Sequence, residues 1–188
     1  MDVAKAIEER RSVRKFKDTI IPQATLEQLL TLATKAPSGK NRQPWRFVVL
    51  QDKKKAEFVK VMLDAVNKLQ EQGINIGSSK ISANAIHEAS AVVVVFNAFS
   101  KTDADYTHYN LLMDTQSIGA AIQNLILAAQ SRGLASLWIC DVFYCAQDLC
   151  HWLNRQEEMV AAVAIGCPDQ FPEERPRASW QDITEWRR

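Results

Sequence analysis

Three arginines and a serine fall within five residues near the start of the chain, in the run Arg10-Arg11-Ser12-Val13-Arg14-Lys15-Phe16-Lys17. Guanidinium forks match phosphate oxygens and a hydroxyl adds a neutral donor, so Arg10, Arg11, Ser12 and Arg14 suit a phosphate group. A basic run is commonly just a solvated face, with acids interspersed for pairing. Here Glu8 and Glu9 stop before the cluster begins. The second stretch able to do chemistry is Ala36-Pro37-Ser38-Gly39-Lys40-Asn41-Arg42-Gln43-Pro44-Trp45. Two prolines and a glycine shape its backbone, while Ser38, Asn41 and Gln43 offer donors and acceptors. The plain reading is a tight turn; the functional one is a polar loop that grips a ligand.

Other constellations are weaker. Cys140, Cys145 and Cys150 are spaced by five residues, with Cys167 further on. Zinc sites generally use pairs two to four residues apart, so the thiols are read as reduced and no metal is expected. His87, His108 and His151 form no Ser/His/Asp or Cys/His arrangement and are assigned structural or surface roles. No G-x-G-x-x-G follows a strand and no G-x-x-x-x-G-K-[ST] occurs, which argues against Rossmann and P-loop sites.

The elements that must position the two stretches follow from periodicity. A short helix is expected over residues 3–11. Thr25-x-x-Gln28 resembles a capping box opening a helix that carries Leu26, Leu29, Leu30 and Ala33 into the Pro37–Trp45 loop. Strands are expected at 47–50, 91–96, 134–139 and 159–165. An amphipathic helix spans 53–72 and a long central helix 110–132, stopped by Gly133, with a short helix at 147–153. Residues 73–82 and 97–109 read as loops and as candidates for a lid. The tail, 167–188, holds Pro168, Pro172 and Pro176, then Trp180 and Trp186. Prolines forbid a continuous helix while the aromatics favour burial, so an extended arm docked on another surface is expected.

The whole chain, 1–188, is expected to form one domain with a substantial core. Its net charge of +1 argues against a nucleic-acid coat or an anionic-membrane binder. The first fourteen residues are charged throughout and no run of eighteen apolar residues occurs, so a cytoplasmic protein without signal or membrane span is expected.

The two long motifs, together with Arg132-Gly133-Leu134-Ala135-Ser136-Leu137-Trp138-Ile139 and Val163-Ala164-Ile165-Gly166-Cys167-Pro168-Asp169, resemble the nitroreductase family of FMN-dependent oxidoreductases. The blocks come in the family's order and cover most of the chain. The resemblance implies an α+β homodimer with a small mixed sheet flanked by helices, exchanged C-terminal arms, and FMN at the interface. It places Arg10, Ser12 and Arg177 (or Arg175) at the FMN phosphate, with Arg11 lining the same stretch, and Arg14 near flavin N1 and the C2 carbonyl. Pro37, Ser38, Asn41 and Gln43 would approach from the other subunit, with Ile139 and Cys140 beside the ring. Where many members have Gly-Gly, this chain has Cys140-Asp141, which implies a narrower or more polar pocket. Negative charge developing at N1 and C2=O calls for a fixed cation, a role that suits Arg14, and the cofactor then carries the chemistry. The implied activity is ping-pong hydride transfer from NADH or NADPH to a nitroaromatic or quinone. The alternative is a non-catalytic FMN store or redox sensor.

Overall fold

The computed structural model describes residues 2–188. Helices α1 (Val3–Glu9) and α2 (Gln23–Ala33) precede strand β1 (Trp45–Leu50). Then come α3 (Asp52–Glu71), α4 (Ser79–Glu88), β2 (Ala91–Asn97), α5 (His108–Ser131), β3 (Ala135–Ile139), α6 (Ala146–Trp152) and β4 (Glu158–Gly166).

The strands form one sheet in the order β1-β2-β4-β3, each neighbour antiparallel. The mixed character expected of the sheet is therefore confined to one isolated parallel bridge, Ser12 to Ser136. Strand alternation explains the layering. Val92, Val94 and Phe96 join Ala162 and Ala164 beneath α3, α4 and α6. On the other face Ala91, Val93 and Val95 join Ala161, Val163 and Ile165 under α2 and α5. A sheet covered on both faces accounts for the unbroken apolar runs in β2 and β4.

Two expectations fail for local reasons. Thr25 does not cap α2: the helix already starts at Gln23 behind Pro22, whose fixed φ suits a helix entry, and no side chain caps it. The capping box belongs to α5 instead. There Thr107 Oγ1 accepts from Asn110 N–H (3.3 Å) and Asn110 Oδ1 accepts from Thr107 N–H (3.0 Å). The expected loop 73–82 is overtaken at Ser79 by α4. Distant residues anchor both ends of that helix, at its start through serine hydroxyls rather than through a backbone cap. Asp141 meets the first turn, and Lys55 Nζ donates at the last one to the carbonyls of His87 (2.8 Å) and Ala89.

The chain before α2 is fixed to the sheet by Val13 and Phe16, both buried in the core. Val13 N–H donates to the Ser136 carbonyl (3.1 Å), Lys17 N–H to that of Cys167 (2.9 Å), and Asp169 N–H to that of Lys15 (3.0 Å). Gly166 makes this close approach possible. A Cβ there would lie 2.6 Å from Cδ1 and 3.0 Å from Cγ of Phe16, so the ring and its backbone would have to move. Gly166→Val is expected to cost about 1–3 kcal/mol, the usual range for overpacking. A drop in thermal midpoint of roughly 2–12 °C should be seen by circular dichroism.

Candidate functional site

Burial of Val13 and Phe16 leaves Ser12 and Arg14 exposed on the same stretch, with Arg10 and Arg11 half-buried just before it. These four residues line one cleft of about 590 Å³. Its opposite wall is the tail, with Arg175 and Arg177 contributed beside Glu173 and Glu174. Arg11 is already engaged: it donates to the Glu8 carbonyl and pairs with Glu174 at 3.3 Å, fastening the tail to the N-terminal stretch. Arg14 donates to the Ser12 carbonyl at 3.3 Å. Arg10, Arg14, Arg175 and Arg177 form no ion pair among the described residues. Burial, then the neighbouring Arg177 and Arg11 guanidinium groups, lower the Arg10 pKa from the ordinary arginine value. Cations gathered in this way, with the Arg10 and Arg177 charges uncompensated, fit a dianionic ligand. Of the two tail arginines, Arg177 is the one whose charge bears on Arg10.

The second predicted group lies elsewhere on the chain. Among the described residues, Pro37, Ser38, Asn41, Gln43, Ile139 and Cys140 do not line the arginine cleft. Pro37, Asn41 and Gln43 are exposed and Ser38 is half-buried, and Ser38 Oγ accepts from Gln43 N–H at 3.0 Å. Lys40, Asn41 and Gln43 have φ of 51°, 55° and 49°, a concentration of left-handed non-glycine residues that sequence composition did not reveal. Ile139 is buried at the end of β3, and Cys140 is exposed beyond it. Asp141 turns its carboxylate toward α4, accepting from Ser78 Oγ (2.6 Å) and Ser82 Oγ (2.5 Å). The Cys140–Asp141 turn is thereby anchored.

The cysteines are free thiols, and among the described residues no cluster of His, Cys, Asp and Glu could hold a metal. Burial, then Asp148 and Asp141, push the Cys145 thiol up to about 12. An unfolded thiol titrates near about 8.5. The folded state thus holds its proton longer, and this contribution is complete below the unfolded value and lost as pH rises toward the folded one. The denaturation midpoint should decline as pH rises from about 8 to about 10. Cys145→Ala should flatten that decline, by up to about 1.4 kcal/mol per pH unit.

A model of the Nitroreductase family matches residues 7–167. The chain belongs to the nitroreductase family. An Archaeoglobus fulgidus relative, provisionally named an NADH dehydrogenase/NAD(P)H nitroreductase, is 33% identical over 72% of this chain and 65% of its own length. This chain spans less than two thirds of that relative and of a second archaeal one. Among solved structures, the nitroreductase-like family protein of Bacillus cereus superposes with a TM-score of 0.82 at 24% identity, covering 99% of this chain and 96% of its own. A provisionally described nitroreductase of Desulfovibrio desulfuricans, solved in complex with FMN, gives 0.79 at 25% identity, covering 100% and 98%. The nitroreductase fold expected from the motifs is thus present. Among the described residues no helix is long and apolar enough to cross a membrane.

The sequence did not point to a further group. Arg42 lies 3.4 Å from Asp103 and 3.5 Å from Asp114, with its guanidinium carbon 4.6 Å from the centre of the Phe99 ring. A carboxylate on the inner face of an apolar helix was the available signal, at Asp114.

Proposed function

We propose that this chain is an FMN-dependent NAD(P)H oxidoreductase that works as a homodimer in the cytoplasm. The observation that carries the reading is the crowding of Arg10 by Arg177 and Arg11 in a cleft where Arg10 and Arg177 have no counter-ion among the described residues. The FMN-bound Desulfovibrio desulfuricans neighbour supports the choice of ligand.

In this reading Arg10, Ser12 and Arg177 hold the FMN phosphate, and Arg11 braces the tail through Glu174 at the rim. Bound there, FMN would accept hydride from NADH or NADPH and pass the electrons to a nitroaromatic or quinone acceptor in a ping-pong cycle. Arg14 supplies a fixed cation beside the ring atoms that gain electron density. Pro37, Ser38, Asn41 and Gln43 are offered by the second subunit, in keeping with their separation from the arginine cleft within one chain. Ile139 packs the end of β3, and the Cys140–Asp141 turn, anchored on Ser78 and Ser82, offers backbone donors to the ring. The tail lies over the other subunit, where Phe171, Ile183, Trp180 and Trp186, all exposed in one chain, would find cover.

The test is an absorption spectrum of the purified protein, before and after anaerobic NADH or NADPH. Flavin bands that bleach are expected, followed by recovery on adding a quinone. Bands that persist would favour an FMN store or redox sensor. A colourless protein that does not take up added FMN would overturn the cofactor assignment.

A further inference from the structure

We propose that Arg42 and Asp114 act as a latch that holds the 38–43 loop in its cofactor-contacting shape and ties it to residues 98–107. The inference rests on the FMN reading for its functional consequence, but not for its geometry.

Left-handed conformations at Lys40, Asn41 and Gln43 are unfavourable for residues bearing a Cβ, and persist only where the surroundings over-determine them. Backbone contacts supply part of that constraint. Gly39 N–H donates to Ser117 Oγ at 3.4 Å, and Ala98 N–H donates to the Pro44 carbonyl at 2.8 Å. Within the loop, Gln43 N–H donates to Ser38 Oγ at 3.0 Å, and a further tie to the rest of the molecule comes from Arg42, which sits between the strained positions with ordinary helical dihedrals. It reaches over the Phe99 ring to Asp103 on one side and Asp114 on the other.

Asp114 is what makes this pairing directional. It is 1% exposed on α5, and Oδ2 accepts from Tyr106 O–H at 3.1 Å. That hydroxyl accepts in turn from Asn97 Nδ2 at 2.7 Å. A buried carboxylate is costly without an opposite charge, and Arg42 is its one ion-pair partner among the described residues. Arg42 can reach it only while the 38–43 loop lies against α5. Burial of one charge is thereby converted into a preference for one loop shape. Neither residue lines the Arg10–Arg177 cleft, so both are positioning residues rather than phosphate ligands.

The experiment uses the full chain in FMN-free and FMN-loaded forms. Arg42→Ala and Asp114→Asn are each expected to weaken FMN binding tenfold or more, measured by flavin fluorescence. In the FMN-free protein both should speed amide hydrogen exchange in residues 38–43 and 98–107, while α3 and β4 keep wild-type protection. Removing Arg42 alone strands a buried charge, so the double variant should bind FMN no worse than Arg42→Ala. Arg42→Lys, which keeps charge but loses the fork, should recover part of the affinity, and with Asp114→Asn it carries the comparison if Arg42→Ala does not fold. FMN affinity within twofold of wild type in both single variants, or unchanged exchange in both segments, would overturn the latch. If wild-type protein failed to bind FMN, the cofactor reading would fall, and exchange in the FMN-free variants would still decide the latch.

Discussion

Replacing Arg10 and Arg177 together by alanine is expected to weaken FMN binding by about 10²–10⁴-fold. Hydrogen bonds to charged groups contribute about 1.5–3 kcal/mol each, and about 1.4 kcal/mol is a factor of ten. Arg10→Ala alone should cost about 10–100-fold on the same scale. Stability should not fall in parallel. Arg10 and Arg177 repel each other across the cleft, and neither makes an ion pair among the described residues, so the FMN-free double variant should unfold at or slightly above the wild-type temperature. Titration of FMN into the FMN-free proteins, with a thermal melt alongside, reads both effects. The affinity should also fall with added salt in the wild type, and less steeply in the variant, because fewer fixed charges face the phosphate. An unchanged dissociation constant would remove the phosphate from this cleft.

If FMN sits at a subunit interface as proposed, ending the chain after Asp169 should give a monomer whose FMN affinity is lowered by at least about 100-fold, since the proposed phosphate contact of Arg177 is removed along with the second subunit's contribution. That end point keeps the contacts of Lys17 with Cys167 and of Lys15 with Asp169, so the N-terminal stretch stays seated on the sheet. What is lost is Arg177, the Glu174 partner of Arg11, and four large apolar side chains, Phe171, Trp180, Ile183 and Trp186, that are between 58% and 87% exposed in one chain. Aromatic area of this kind is the usual source of interface stability. Sedimentation of the truncated protein beside its flavin spectrum separates the two losses. A truncated protein that stayed dimeric and yellow would show that the tail is dispensable.

The parts of this molecule legible in its sequence are those whose determinants are local. The β2 and β4 runs announce burial on both faces, Gly133 marks the end of α5 with a φ of 72°, and the Arg10–Arg14 run and the Pro37–Trp45 loop both carry the family motif. What escaped depends on residues far apart in the chain. Helix α4 begins in a segment rich in Gly, Ser and Asn, and it is anchored by Asp141, through the Ser78 and Ser82 hydroxyls, and by Lys55 at its last carbonyls. Asp114 reads as an interruption of an apolar helix until Arg42, from a loop far earlier in the chain, is placed beside it. Convergence of Arg177 on Arg10 is expected from the family resemblance alone, because composition does not encode where a proline-rich tail turns.

The bridge between Ser12 and Ser136 has a consequence for the chain's behaviour away from any cofactor. β3 ends the sheet on one side, and a terminal strand with open N–H and C=O groups is a template on which another chain can add. Ser12 and Val13 cover the start of that strand, with Val13 donating to the Ser136 carbonyl. The stretch proposed to hold the FMN phosphate therefore also guards against intermolecular strand addition. Protein lacking its first sixteen residues would be expected to aggregate on refolding, through β3, even with its core helices intact.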